Sequence, residues 1–360
     1  MKLDTRLTNS EISCGAMCLR KMQLTYVAGL RPLDDAVPLR FGKAWHAALE
    51  RRANGTDLEQ NVMNIRVTYN TAFEHELDEA RRNVLAYEAE TLVAMLRVYD
   101  WRWSDMDKEI VTIATEESFE VPIVNPATGA AAKIFTFAGR VDRRVKLADG
   151  RMALVECKTT SMDIAPDANY WLRLRVDDQL ARYVLAMRHL KRPIDCVLWD
   201  AVRKPTIKPG NVPLVDDDGI KIVLDKDGQR VRTKDGKKWR TTGDTEAGYV
   251  AQVRPETPKE WGDRVQAALG EEPDRWFRRQ EIPCTDDDLA EAMANLWNSA
   301  QILHACDLNN RWPRNGGACI GFGVCRFLPL CSMNWKPTDG SIPPGFMKVD
   351  DVHQELTDAT

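Results

Sequence analysis

The chain reads as an α/β protein built on a mixed central sheet flanked by helices, and three observations predict this. From Ile110 to Lys158 the pattern is that of strands, with apolar side chains alternating as they do on a half-buried sheet. Leu174 to Leu190 returns to helical spacing, and Cys196-Val197-Leu198-Trp199 is a further buried strand. A helix between two strands that share a core produces a mixed sheet with helices packed on it.

Taken in order, residues 1–33 carry Cys14, Cys18 and a short basic helical patch. Phe41 to Arg52 reads as a helix with Ala44, Ala47, Ala48 and Leu49 on its packed side. Asp57 to Trp103 holds few helix breakers, and Leu85, Leu92, Met95, Leu96 and Tyr99 recur at helical spacing, which assigns them to core packing. In the strand region, Val121-Pro122 and Asn125-Pro126-Ala127-Thr128-Gly129 mark a loop. Phe135, Phe137 and Val141 alternate on the next strand, and Ala148-Asp149-Gly150 turns the chain back into the strand of Leu154 and Val155. After Trp199 a hairpin-rich insert, 203–247, has turns at Asp227-Gly228 and Asp235-Gly236. Helices follow near Lys259 to Leu269 and Asp286 to Cys306, and Asp286-Asp287-Asp288 suits the positive end of the latter. The expected organisation is one domain over 1–335 with that insert, and a flexible tail, 336–360, rich in Pro, Gly and Asp.

The chain has 360 residues and a net charge of -4, which argues against a protein coating nucleic acid over its whole surface. A local surplus exists nonetheless: Val202 to Arg240 holds eleven Lys or Arg against six Asp. A solvated hairpin and a strand-tracking arm both fit it. No apolar run approaches the roughly 20 residues a membrane helix needs. The polar start Met1-Lys2-Leu3-Asp4 lacks a signal-peptide core. The expectation is a cytoplasmic protein without membrane partners.

The chemistry concentrates at Gly139-Arg140-Val141-Asp142 and Glu156-Cys157-Lys158. Folding back at the Asp149-Gly150 turn brings Asp142 near Glu156. Two carboxylates converging at a strand end, with an ammonium two residues past the second, hold a divalent cation and still offer positive charge to a phosphodiester. An E-x-K triplet alone is common. Its company here is Gly42-Lys43-Ala44-Trp45-His46 upstream and Gln179 with Tyr183 downstream, the last two four apart on one helix face. Glu117 is a solvated carboxylate or a contact behind the metal ligands.

Nine cysteines, an odd number, are not expected to form disulfides in a reducing compartment. Cys319, Cys325 and Cys331 fall at C-x5-C-x5-C in a Gly-rich, aromatic loop whose amides can wrap an inorganic cluster. Cys14 or Cys18 is the natural fourth donor. Four sulfurs suit zinc or an iron-sulfur cube, and the absence of C-x2-C knuckles favours [4Fe-4S]. Such a cluster would staple the two ends of the chain and couple metal loading to folding. Cys157, Cys196, Cys284 and Cys306 sit singly and read as packed thiols.

Together these residues resemble the RecB-like branch of the PD-(D/E)XK nuclease superfamily, in particular members with an iron-sulfur cluster: CRISPR adaptation nucleases, the AddB nuclease domain and phage-type or eukaryotic single-strand exonucleases. Gly42-x-x-x-His46 is similar to the first motif, Gly139 to Asp142 the second, Glu156 to Lys158 the third, and Gln179-x-x-x-Tyr183 the helix motif. Cys18-Leu19-Arg20-Lys21-Met22-Gln23-Leu24 resembles the N-terminal cysteine segment, which makes Cys18 the better fourth ligand. The resemblance implies a restriction-endonuclease-like sheet. It also implies Mg2+ or Mn2+ on His46, Asp142, Glu156 and the Cys157 carbonyl, and catalytic roles for Asp142, Glu156, Lys158, Gln179 and Tyr183. The implied cluster ligands are Cys18, Cys319, Cys325 and Cys331.

The implied activity is metal-dependent DNA exonuclease action on single strands or ends, in recombination, repair, phage replication or CRISPR adaptation. The implied partners are DNA and a helicase or a recombination or adaptation protein; no G-x-x-x-x-G-K-[ST] loop is present to supply an ATP motor. Cys157 stands where relatives carry a small or apolar residue, and the equal cysteine gaps depart from the C-x2-C-x5-C of several relatives. The alternative is a non-catalytic DNA-end-binding scaffold subunit of a helicase-nuclease complex.

Overall fold

The computed structural model describes residues 3–33, 37–76, 78–321, 323–337, 342–353 and 356, without the side chains of 37–39. In chain order the elements begin with β1 (Arg6–Leu7), α1 (Asn9–Met17), α2 (Leu19–Met22), β2 (Leu30–Pro32) and α3 (Val37–Ala53). Two helices, α4 (Leu58–His75) and α5 (Glu79–Lys108), fill the helical region expected from Asp57 to Trp103. Then come β3 (Val111–Val124), β4 (Ala131–Lys146), β5 (Met152–Thr160), α6 (Asn169–Leu174), α7 (Asp178–His189) and β6 (Cys196–Arg203). Four short strands, β7 (Asn211–Pro213), β8 (Val223–Leu224), β9 (Val250–Ala251) and β10 (Val253–Pro255), precede α8 (Pro258–Glu271) and α9 (Pro273–Trp276). The chain closes with β11 (Phe277–Ile282), α10 (Asp286–Asn309), α11 (Leu328–Ser332) and β12 (Phe346–Lys348).

Contacts divide the chain into two compact units, one of residues 1–56, 103–203 and 274–360, the other of 57–102 and 204–273. The first holds the mixed sheet, in the order β1-β4-β5-β6-β11 with β3 on β4. β4 and β5 are antiparallel, β5 and β6 parallel, and β11 closes an edge antiparallel to β6. Period-2 alternation builds the core: Phe119, Phe137, Val141 and Leu154 meet Val184 and Met187 of α7 and Leu303 of α10 in one cluster. Ala153, Val155 and Val145 form another. The second unit is tied internally by a bidentate Arg66–Glu90 pair and by the Tyr87 hydroxyl donating to the Glu256 carbonyl.

Caps start the helices where the sequence places them. Thr8, Thr257 and Thr285 each accept from the amide three residues on, with Glu11, Glu260 and Asp288 reaching back. The segment expected to pack little departs from expectation within 342–353: β12 pairs with β2, Phe346 stacks on Phe327, and His353 is buried. Its Pro and Gly content concealed a three-residue strand, which is too short to produce a periodic signal.

Candidate metal centre and active site

The β4–β5 ladder ends at the Arg143–Val155 pair, so Asp142 and Glu156, the next residues along each strand, stand where the strands part. There the Cys157 amide donates to Asp142 Oδ2 at 2.8 Å, a bond that turns the carboxylate toward β5. Glu156 and Lys158 point the same way, being two apart on a strand. The Lys158 ammonium sits 2.5 Å from Glu156 Oε1, and over a third of its side chain stays exposed, so it faces solvent as well as its partner. Gly139 of the same motif has a steric reason: a Cβ there would lie 2.6 Å from the tip of the Phe119 ring, which occupies that space.

From α7, Gln179 Nε2 donates to Glu156 Oε1 at 2.7 Å and lies 3.3 Å from the Tyr183 hydroxyl. Asp177 caps this helix by accepting from the Gln179 amide, and Tyr183 is anchored edge-on to Phe119 at 5.6 Å. From α3, His46 Nδ1 approaches Asp142 Oδ2 at 3.5 Å. Thus His46, Asp142, Glu156, Lys158, Gln179 and Tyr183 come to one place from four elements.

A further residue joins them. Ligand atoms of His46, Asp142 and Glu116 lie within 4.8 Å of one another, the one such group among the described residues. Glu116 has φ +46°, a left-handed conformation that costs energy for a non-glycine residue, and its carboxylate pairs with Arg140 Nε at 2.7 Å. Sequence reasoning passed over it in favour of Glu117, which instead pairs with Arg144 and Arg192. The signal was register: Thr115 pairs with Arg143 and Glu117 with Val141, which sets Glu116 across from Asp142.

The electrostatics suit a cation. Burial, then Lys158, lowers His46 to about 4, so the imidazole is neutral and its lone pair free to coordinate. Burial and Asp142 raise Glu116 to about 7, and burial and Asp142 raise Glu156 to about 7 against the pull of Lys158. Burial also raises Asp142. Burial opposes the charge on Lys158, but Glu156 and Asp142 outweigh it and hold the amine protonated. Burial and Glu156 push the Tyr183 hydroxyl up, so it is a neutral donor. Three acids crowded until their ionisation is disfavoured form a candidate site for a divalent cation, whose charge would offset theirs. Cys157 is buried, and burial raises its thiol far above the ordinary range, so it serves as an apolar residue.

Behind the site lies a network the sequence did not disclose. Asp200 of β6, paired in register with Cys157, takes Arg279 Nε at 2.9 Å; Arg279 also grips Asp107, which binds Arg52 of α3 at 2.5 Å. Arg279 lies over the Trp103 ring at 4.5 Å. These groups link the strand of Glu156 to the helix of His46.

The cysteines expected to hold a cluster border a common cavity and form no group of converging ligand atoms among the described residues. Cys18, Cys319, Cys325 and Cys331 line one small cavity with Arg314 and Asn315. The Asn315 amide lies 3.4 Å from Cys18 Sγ, and the Cys325 amide donates to the Cys319 carbonyl at 2.8 Å. Cys14 packs instead against the main core, where burial raises it to about 11.

A mixed sheet flanked by helices, with a histidine, acids and a lysine at the fork of two strands, defines a restriction-endonuclease-like fold with a metal-binding site. Residues 6–301 match the PD-(D/E)XK nuclease superfamily, and the chain belongs to it. No curated protein matches the chain. Among solved structures, the one titled "Crystal structure of SSO0001" is similar at 15% identity and a TM-score of 0.21, over 39% of this chain. The chain spans 61% of that structure's length. Among the described residues no helix is long and apolar enough to cross a membrane.

Proposed function

We propose that this protein is a metal-dependent DNA exonuclease of the RecB-like branch, acting on single strands or ends by phosphodiester hydrolysis. The observation that carries the reading is the convergence of His46, Asp142, Glu156, Lys158, Gln179 and Tyr183 at the strand fork. A scaffold subunit has no use for a neutral imidazole, crowded acids and a charged lysine in one place.

His46, Asp142 and Glu156 are the side chains that would hold Mg2+ or Mn2+, with the Cys157 carbonyl beside them and Glu116, whose ligand atom lies with those of His46 and Asp142, as a further donor; the mixed nitrogen and oxygen donors suit Mn2+. A cation bound there supplies a Lewis acid and lowers the pKa of water. Lys158, charged and partly exposed, orients the attacking water and offsets charge growing on the phosphate. Gln179 donates to the Glu156 carboxylate and to the Tyr183 hydroxyl, which supports roles for Gln179 in holding that carboxylate and for Tyr183 as a neutral donor to the same phosphate.

We propose in addition that Cys18, Cys319, Cys325 and Cys331, which line one small cavity, hold a [4Fe-4S] cluster with Cys18 as fourth ligand. It would join the N- and C-terminal segments and close a domain over 1–335. The matching biology is recombination, repair, phage replication or CRISPR adaptation in the cytoplasm, beside a helicase or an adaptation protein.

The exonuclease reading is tested with linear and circular single-stranded DNA of one sequence, incubated with Mn2+. Degradation of the linear form alone supports it. Equal cutting of circles makes the enzyme an endonuclease, and binding to both without cutting favours the end-binding scaffold.

A further inference from the structure

Within the second unit, residues 230–240 form a short hairpin closed by the Arg232–Trp239 bridge, with the Thr233 amide donating to the Lys238 carbonyl at 2.8 Å and Gly236 at φ +68° in the turn. Its eleven residues hold Arg230, Arg232, Lys234, Lys237, Lys238 and Arg240 against one acid, Asp235. That acid does not neutralise a lysine: its carboxylate accepts from the Thr233 hydroxyl at 2.5 Å and the Lys237 amide at 3.2 Å. Arg230 and Arg240 have carboxylate partners in Asp216 and Asp244, whereas Arg232, Lys234, Lys237 and Lys238 have none among the described residues.

The guanidiniums of Arg230 and Arg232 lie 4.5 and 4.2 Å from the Trp239 ring centroid. Cation–π attraction of this kind localises two flexible cations on one rigid plate. Holding like charges together has a cost that an anionic ligand removes. The stretch from Arg232 to Lys238 carries no apolar side chain, so it lacks the hydrophobic centre that a protein interface is built on.

We propose that the Arg230–Arg240 hairpin is a phosphate-gripping arm that holds single-stranded DNA by its backbone and does not read bases. This rests on the nuclease reading and adds to it a contact made by other residues. The indole serves to hold guanidiniums, so the arm binds by charge, independently of sequence and steeply with salt.

The test is fluorescence anisotropy with a labelled single-stranded oligonucleotide, the full chain and EDTA, over a range of NaCl. The tip variant is Lys234→Ser/Lys237→Ser/Lys238→Ser, all exposed positions; the control is Lys108→Ser/Lys133→Ser/Lys146→Ser, exposed lysines of the other unit. Losing three phosphate contacts makes the slope of log K against log[salt] shallower by about 2 and weakens binding about tenfold or more near 0.1 M salt. The control stays close to wild type. Unchanged binding by the tip variant, or equal loss in both variants, overturns the arm and leaves the nuclease reading standing. Failure of the wild type to bind the oligonucleotide at low salt also overturns the arm, while the nuclease reading is decided separately by cleavage with Mn2+.

Discussion

Replacing Glu116 by Gln isolates what the crowded acids cost the metal-free protein. Glu116 is only 14% exposed along its side chain, and its carboxyl stands near 7 against an ordinary 4.5, through burial and Asp142 and despite Arg140. An acid whose folded pKa is raised binds more protons in the folded state between those two values. Its favourable contribution is therefore complete below pH 4.5 and is lost as pH rises through 7. A shift of that size corresponds to about 3 kcal/mol. Urea denaturation in EDTA from pH 5 to 8 should show wild type losing about 3 kcal/mol more than Glu116→Gln, which carries no titrating proton there. Saturating Mn2+ at pH 8 should return the loss in wild type, because the cation replaces the missing proton and binds only the folded state. Parallel pH curves for the two proteins would refute the placement of Glu116 in the site.

Lys158→Met should lower single-turnover cleavage by roughly a hundredfold or more while Mn2+ still binds, since the amine is not a metal ligand; loss of Mn2+ binding by calorimetry would make it structural instead. Arg279→Met leaves Asp200 and Asp107 buried without their shared cation and should destabilise by about 3–5 kcal/mol. Adding Asp200→Asn should recover part of that, and no recovery in urea titrations would argue against the network. In anaerobically purified protein, Cys325→Ser or Cys331→Ser should lower iron content and bleach the visible spectrum; an unchanged spectrum in either removes that residue from the ligand set.

Much of the site was legible because its chemistry is written in local strings. Asp142, Glu156 and Lys158 lie on two strands joined by a short turn, so proximity follows from the hairpin, and Gln179 with Tyr183 needs only helical spacing. Gathering His46 to them took a resemblance, since nothing local says where α3 lands. Glu116 was missed because its position depends on the register of a long hairpin and on a left-handed residue that composition does not reveal. The Arg52–Asp107–Arg279–Asp200 network was missed for a related reason. Its members are 55, 172 and 79 residues apart at successive links, and each alone looks like a solvated surface charge. The edge strand β11, Phe277 to Ile282, carries two arginines, a glutamine and a glutamate among its six residues, so polarity hid its pairing with β6.

The most direct test is cleavage of single-stranded DNA labelled at the 5' or 3' end, with Mn2+, Mg2+ or EDTA, by wild type and Asp142→Ala side by side. The site described here predicts metal-dependent release by the wild type, none in EDTA, and none by the folded variant. Equal degradation by wild type and Asp142→Ala, or none by folded wild type with either metal, would contradict it.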